Sequence, residues 1–228
     1  MQYITKHYSE AEPLSLVEKN ILKEIEKHGM RPEQCIWGTS VCSDEVNNSL
    51  DGMSRHFAAP GPFRFGGISG IPFTGKTGFR AFASHIPDDG GAVIVFGPHI
   101  GISKNGTAGE LMREGQAESS TCCGSLVAGL ESVKAGNVLM ISHDDYQQGQ
   151  VNKLLIENYE DIKKADNQIL KITDIAYHQI KRELTDIVSA CIENLGNSPL
   201  LLIGGIVINT DADQEDFFEI RDISVFNS

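Results

Sequence analysis

CIWGTSVCSDE (residues 35–45) carries two signals back to back. Residues 35–41 are largely apolar, with no helical period, which predicts a buried strand. That strand runs straight into Cys42-Ser43-Asp44-Glu45, a cluster of chemically useful side chains. Downstream, AVIVF (92–96) predicts a second buried strand that breaks at Gly97-Pro98-His99. Residues 200–208 predict a third buried strand, and 217–225 an edge strand among acidic residues. Helical periods fill the intervals. A helix is expected over 14–29, with Ser15 and Glu18 as a capping box and Gly29 and Pro32 as its stop. Others are expected around 78–85, from Cys122-Cys123-Gly124-Ser125 to about Gly136, and over 150–163 and 168–195, with a short strand at 138–142. Residues 101–121 read as a loop or hairpin. Strands and helices alternate, so the expectation is a single α/β domain over 1–228.

The chain has 228 residues, with 19 Lys+Arg against 31 Asp+Glu and a net charge of −12. That balance offers no basic footprint, so neither nucleic acid nor an anionic membrane surface is expected as a partner. The apolar run at 200–208 is far short of the ~20 residues that span a bilayer. MQYITKHYSEAEP lacks the apolar core of a signal peptide. Five cysteines in no regular framework predict a reduced, cytoplasmic location, where grouped Cys and His signify a metal or catalysis more than disulfides.

Cys42, His99 and one of Cys122 and Cys123 form the sharpest constellation. Cys42 follows one predicted strand and His99 lies three residues past another, where open α/β sheets collect ligands. The third partner sits at a helix start, where free N–H groups favour a thiolate. Two thiolates and a neutral imidazole balance Zn2+ and leave a fourth position open, as catalytic zinc requires. Cys123 is favoured because it directly precedes Gly124. Asp44 could accept a hydrogen bond from water on the metal, or turn in as a fourth ligand; Ser43 or Asp44 is also the natural N-cap of DEVNNSL. Cys35 and Cys191, inside apolar runs, are expected to be core residues.

GIPFTGKT (70–77) matches the phosphate-binding pattern G-x-x-x-x-G-K-[ST], with Lys76 and Thr77 at the key places. Pro60-Gly61-Pro62 before it argues against a central strand, and Pro87 allows only a short helix after it. A magnesium carboxylate would have to come from Asp144. A solvated Gly/Pro loop is the better reading, and the phenylalanines at 57, 63, 65, 73, 79 and 82 are expected in the core.

CSDEVNNSL (42–50), GGISGIPFTGKTGFRAFASHIPDDGG (66–91), FGPHIGI (96–102) and CCGS (122–125) together resemble the limiting-carbon-dioxide-inducible B/C family, which is similar to β-carbonic anhydrases. The resemblance implies a mostly parallel central sheet flanked by helices, with Zn2+ held by Cys42, His99 and Cys123. It implies conversion of carbon dioxide and bicarbonate through a zinc-bound hydroxide, beside which Asp44 acts, and a homodimer. In β-carbonic anhydrases an arginine two residues after that aspartate pairs with it; here the place is Val46, and Arg55 is the nearest substitute. The alternatives are a catalytically silent zinc scaffold closed by Asp44, an inorganic-carbon-responsive interaction protein, or a nucleotide-binding protein using Lys76 and Thr77.

Overall fold

In the computed structural model, which describes residues 2–136 and 142–227, the apolar runs lie side by side in one sheet. In chain order the elements are α1 (Gln2–Thr5), β1 (Glu12–Pro13), α2 (Leu14–Lys27), β2 (Cys35–Ser40), α3 (Asn48–Asp51), β3 (Phe63–Arg64), α4 (Gly75–Ala83), β4 (Gly91–Phe96) and β5 (His99–Gly101). They continue as β6 (Glu110–Leu111), β7 (Ser120–Thr121), α5 (Gly124–Lys134), α6 (Tyr146–Glu157), α7 (Tyr159–Lys163), α8 (Gln168–Ala190), β8 (Leu200–Asn209) and β9 (Phe217–Phe226). Of the strand expected at 138–142, residues 138–141 lie outside the described residues.

The sheet order is β1-β9-β8-β4-β2-β3, and β5 joins β8 beyond the end of β4. β3, β2, β4, β8 and β5 run parallel, while β9 is antiparallel to β8 and β1 to β9. The fold is therefore α/β, with a mostly parallel central sheet flanked by helices. β4 and β8 are buried along their whole lengths because helices cover both faces. Successive side chains feed opposite layers. Val93 and Val95 pack with Trp37 and with Val17, Ile21 and Ile25 of α2. Ala92, Ile94 and Phe96 pack with residues of α4, α5 and α8 such as Phe79, Leu130 and Ile180. Each such aliphatic side chain contributes about 1.5–3 kcal/mol by leaving water. Phe65, Phe79 and Phe82 are fully buried in the second layer, and Phe57 stacks on Trp37 in the first.

Two local expectations need correction. The capping box of α2 does not form. Pro13 precedes the helix without a side-chain cap, Ser15 N–H donates to Glu215 (2.8 Å), and Glu18 turns to Arg55 and His56. Partners distant in sequence have outcompeted the local pair. The GKT segment, expected as a loop before a helix near 78–85, instead opens the helix α4 at Gly75; as expected, no parallel strand leads directly into it, the turn at Ile68–Gly70 does, and Lys76 and Thr77 are exposed. No strand end aims those amides at a phosphate.

The register that pairs Ser40 with Phe96 puts the carboxyl ends of β2 and β4 at one edge of the sheet. There the chain leaves β4, passes Gly97-Pro98, and resumes as β5 against Val207 to Asn209 of β8, stepping past a bulge at Gly204/Gly205. Gly97 makes that step possible. A Cβ on it would stand 1.8 Å from the Gly205 carbonyl oxygen. Gly97→Ala is therefore expected to lower stability by about 3 kcal/mol, read as a lower urea midpoint with an unchanged slope.

Candidate metal centre

Three segments deliver three donors to one point at this edge. Cys42 comes from the loop that continues β2, His99 opens β5, and Cys123 is the N-cap residue of α5. Their donor atoms all lie within 4.8 Å of one another, and the side chains are buried, with 7%, 0% and 3% exposure. The two sulfurs are 4.0 Å apart. Two thiolates sharing a tetrahedral zinc at ~2.3 Å would sit about 3.8 Å apart, so the pair already has the right span. His99 Nε2 is buried without a hydrogen-bond partner among the described residues, which leaves it available to an ion. The residues fit the group.

The surroundings suit two thiolates. The Ser69 N–H donates to Cys42 Sγ (3.2 Å), and the Ser125 hydroxyl lies 3.2 Å from Cys123 Sγ and 2.6 Å from the Ser69 hydroxyl. Ser69 reaches this place with φ of +57°, a conformation uncommon outside glycine. Gly66 allows the same loop to close over Val41, whose carbonyl oxygen a Cβ there would approach to 2.2 Å. Without metal, the bond from Cys42 holds the Cys123 thiol well below its ordinary range, and that bond and burial push Cys42 up. Burial opposes charge on His99, but the sulfurs of Cys123 and Cys122 outweigh it and raise its pKa.

Cys122 points to a different place. Its sulfur is 3.3 Å from His99 Nδ1, the opposite ring nitrogen from the unpartnered one, and the donor grouping it enters contains Asp44 and His99.

Asp44 caps the turn at Glu45–Asn47, accepting from Val46 N–H (3.3 Å). Its partner is Arg113, not Arg55. Arg113 clamps it with two parallel bonds, Nη1 to Oδ1 and Nη2 to Oδ2, both 2.9 Å. The guanidinium is anchored by Ser120 Oγ (2.9 Å) and by Glu45. Burial works against charge on Asp44, but Arg113 prevails and holds the carboxyl below its usual range. Arg55 instead donates to the Gly52 carbonyl oxygen (2.7 Å) and to Glu18. Proximity in sequence pointed to the wrong arginine because the right one arrives on the hairpin of β6 and β7. The one available signal was weak: Arg113 is the sole arginine in residues 101–121.

A cavity of about 50 Å3 lies behind Cys42 and Asp44, and a cleft of about 380 Å3 opens beside Arg113, lined on its apolar side by Val46, Leu111 and Met112. No helix among the described residues is long and apolar enough to cross a membrane.

The family of limiting CO2-inducible proteins B/C beta carbonic anhydrases matches residues 11–227. The crystal structure of PtLCIB4, a homologue of the limiting CO2-inducible protein LCIB, superposes with a TM-score of 0.92 at 29% identity, over 99% of this chain and 95% of that one. The crystal structure of LCIB itself gives 0.71 at 21% identity, over 96% and 92%, a likeness of fold. No curated protein sequence matches.

Proposed function

The chain belongs to the limiting CO2-inducible B/C family of β-carbonic anhydrases, and we propose that it is itself a zinc-dependent carbonic anhydrase interconverting carbon dioxide and bicarbonate. The observation that carries this is the convergence of Cys42 Sγ, Cys123 Sγ and an unpartnered, buried His99 Nε2 beside a carboxylate that an arginine holds fast.

Zn2+, when bound there, supplies a Lewis acid that brings the pKa of water towards ~7. Cys42 and Cys123 as thiolates and His99 as neutral imidazole would hold it and cancel its charge, leaving a position for water. Asp44, kept ionised and locked by Arg113, can only accept hydrogen bonds. It therefore orients an O–H donor at that position and disfavours any bare anion. Its Oδ1 already accepts from both Arg113 and Val46, whereas Oδ2 accepts from Arg113 and keeps lone-pair capacity for a further donor. Carbon dioxide is small and uncharged, so a net charge of −12 does not oppose its entry.

A centre with two thiolate ligands needs a compartment that keeps thiols reduced, which suits the cytoplasm. The homodimer expected from the resemblance belongs to this reading too. The test is stopped-flow hydration of carbon dioxide by protein verified to carry one zinc per chain. The expected result is a rate above buffer that disappears in Cys42→Ala; a rate equal to buffer in the zinc-loaded protein would sink the reading.

A further inference from the structure

We propose that Asn209, the last residue of β8, is a positioning residue that decides which nitrogen of His99 carries the proton, and so leaves Nε2 free for the metal. This rests on the reading of Cys42, His99 and Cys123 as the zinc-holding set.

Asn209 is 1% exposed, and its side-chain amide lies 2.8 Å from His99 Nδ1. An asparagine amide can face either way round, so its orientation has to be fixed by what surrounds it. Here Nδ2 donates to the Val46 carbonyl oxygen (3.2 Å) and to Asp216 Oδ2 (3.2 Å). A carbonyl oxygen can only accept, so the amide nitrogen must face it and Oδ1 must face the imidazole. An acceptor facing Nδ1 requires a proton on Nδ1. The neutral ring then has its lone pair on Nε2, the buried atom without a partner.

Cys122 makes this assignment necessary. Its sulfur also approaches His99 Nδ1, to 3.3 Å. A thiol can donate or accept, so Cys122 alone would leave the ring free to put its proton on Nε2 and block the metal. Asn209 removes the ambiguity twice over. Its Oδ1 accepts a hydrogen bond from Nδ1–H, and lies 3.7 Å from Cys122 Sγ as an acceptor for the thiol S–H. The same amide ties down Val46, whose own N–H caps onto Asp44. One side chain thus joins the metal's histidine to the turn that presents the carboxylate. Asp216 backs the amide while accepting from Ser49 Oγ (2.9 Å) and Thr210 N–H (2.9 Å).

Metal-free wild type, Asn209→Ala and Asn209→Asp are to be titrated with zinc against a chromogenic chelator. Nitrogen-resolved NMR of the histidine rings is then recorded on the zinc-loaded proteins. Wild type should show the His99 ring proton on Nδ1. Asn209→Ala should bind zinc about 10–100-fold more weakly and lose that slowly exchanging proton. Asn209→Asp keeps an acceptor facing Nδ1 but turns its second oxygen on the Val46 carbonyl and Asp216, so it should keep the Nδ1 proton signal that the alanine variant loses while giving up thermal stability. A purely structural role would lower the melting temperature of both variants without separating them in this way. Zinc affinity of Asn209→Ala equal to wild type, or a bare Nδ1 in zinc-loaded wild type, overturns the proposal; the second holds even if the alanine variant fails to fold. Wild type that takes up no zinc overturns the metal centre as well, which distinguishes the two failures.

Discussion

Cys123→Ser should emerge from purification without zinc and hydrate carbon dioxide no faster than buffer, whereas Cys122→Ser should keep one zinc per chain. The two cysteines are neighbours in sequence, but their sulfurs serve different sides of His99. Cys123 Sγ stands 4.0 Å from Cys42 Sγ, close to the separation a shared tetrahedral ion demands, while Cys122 Sγ stands beside Nδ1. Serine supplies a hydroxyl where a soft, charged sulfur is needed. It does not ionise at neutral pH, and the remaining donors no longer balance the dication. The loss should exceed the about 10–100-fold that removing an outer partner costs. Elemental analysis after dialysis, with stopped flow on the same samples, reads both effects. Zinc retained by Cys123→Ser and lost by Cys122→Ser would reverse the assignment and move the centre to the Asp44–His99–Cys122 grouping.

What could be read from sequence followed physical lines. β2, β4 and β8 announced themselves because strands covered on both faces must be apolar throughout, and residues 92–96 and 200–208 are. The donor residues were visible because parallel strands bring their carboxyl ends to one edge, so Cys42 after one strand and His99 after another had to be neighbours. Arg113 was not visible. It lies on a hairpin whose strands are two residues each, too short to carry a period, and nothing local distinguishes it from a solvated loop arginine. Asn209 was hidden for a related reason: it closes a ten-residue apolar strand as its one amide, and only the crossing at Gly97 brings His99 within its reach. The failed capping box makes the same point from the other side. Ser15 and Glu18 had the right spacing, but Glu215, Arg55 and His56 reached them from elsewhere in the fold.

Arg113→Ala should keep its zinc yet lose carbon dioxide hydration by on the order of 10²–10³-fold, the scale of removing one preorganised electrostatic group. The variant deletes both bonds that hold Asp44 in place. It also leaves a part-buried carboxylate without its counter-charge, which costs stability of about 1–3 kcal/mol. Asp44 has one nearby way to regain a cation. One of its oxygens lies within 4.8 Å of a His99 ring nitrogen, and once unclamped the carboxylate is expected to turn to the metal as a fourth ligand. The freed carboxylate would then occupy the position that water needs. Arg113→Lys should recover only part of the rate, because an ammonium supplies charge without the two parallel donors that fix the plane of the carboxylate. Cobalt-substituted protein separates closure from simple misfolding. Azide should perturb the visible spectrum of the wild type, whose fourth position is expected to be open, and leave that of Arg113→Ala unchanged. Full hydration activity in Arg113→Ala would show that Asp44 needs no clamp, and the guanidinium would then be no more than an anchor for the β6–β7 hairpin.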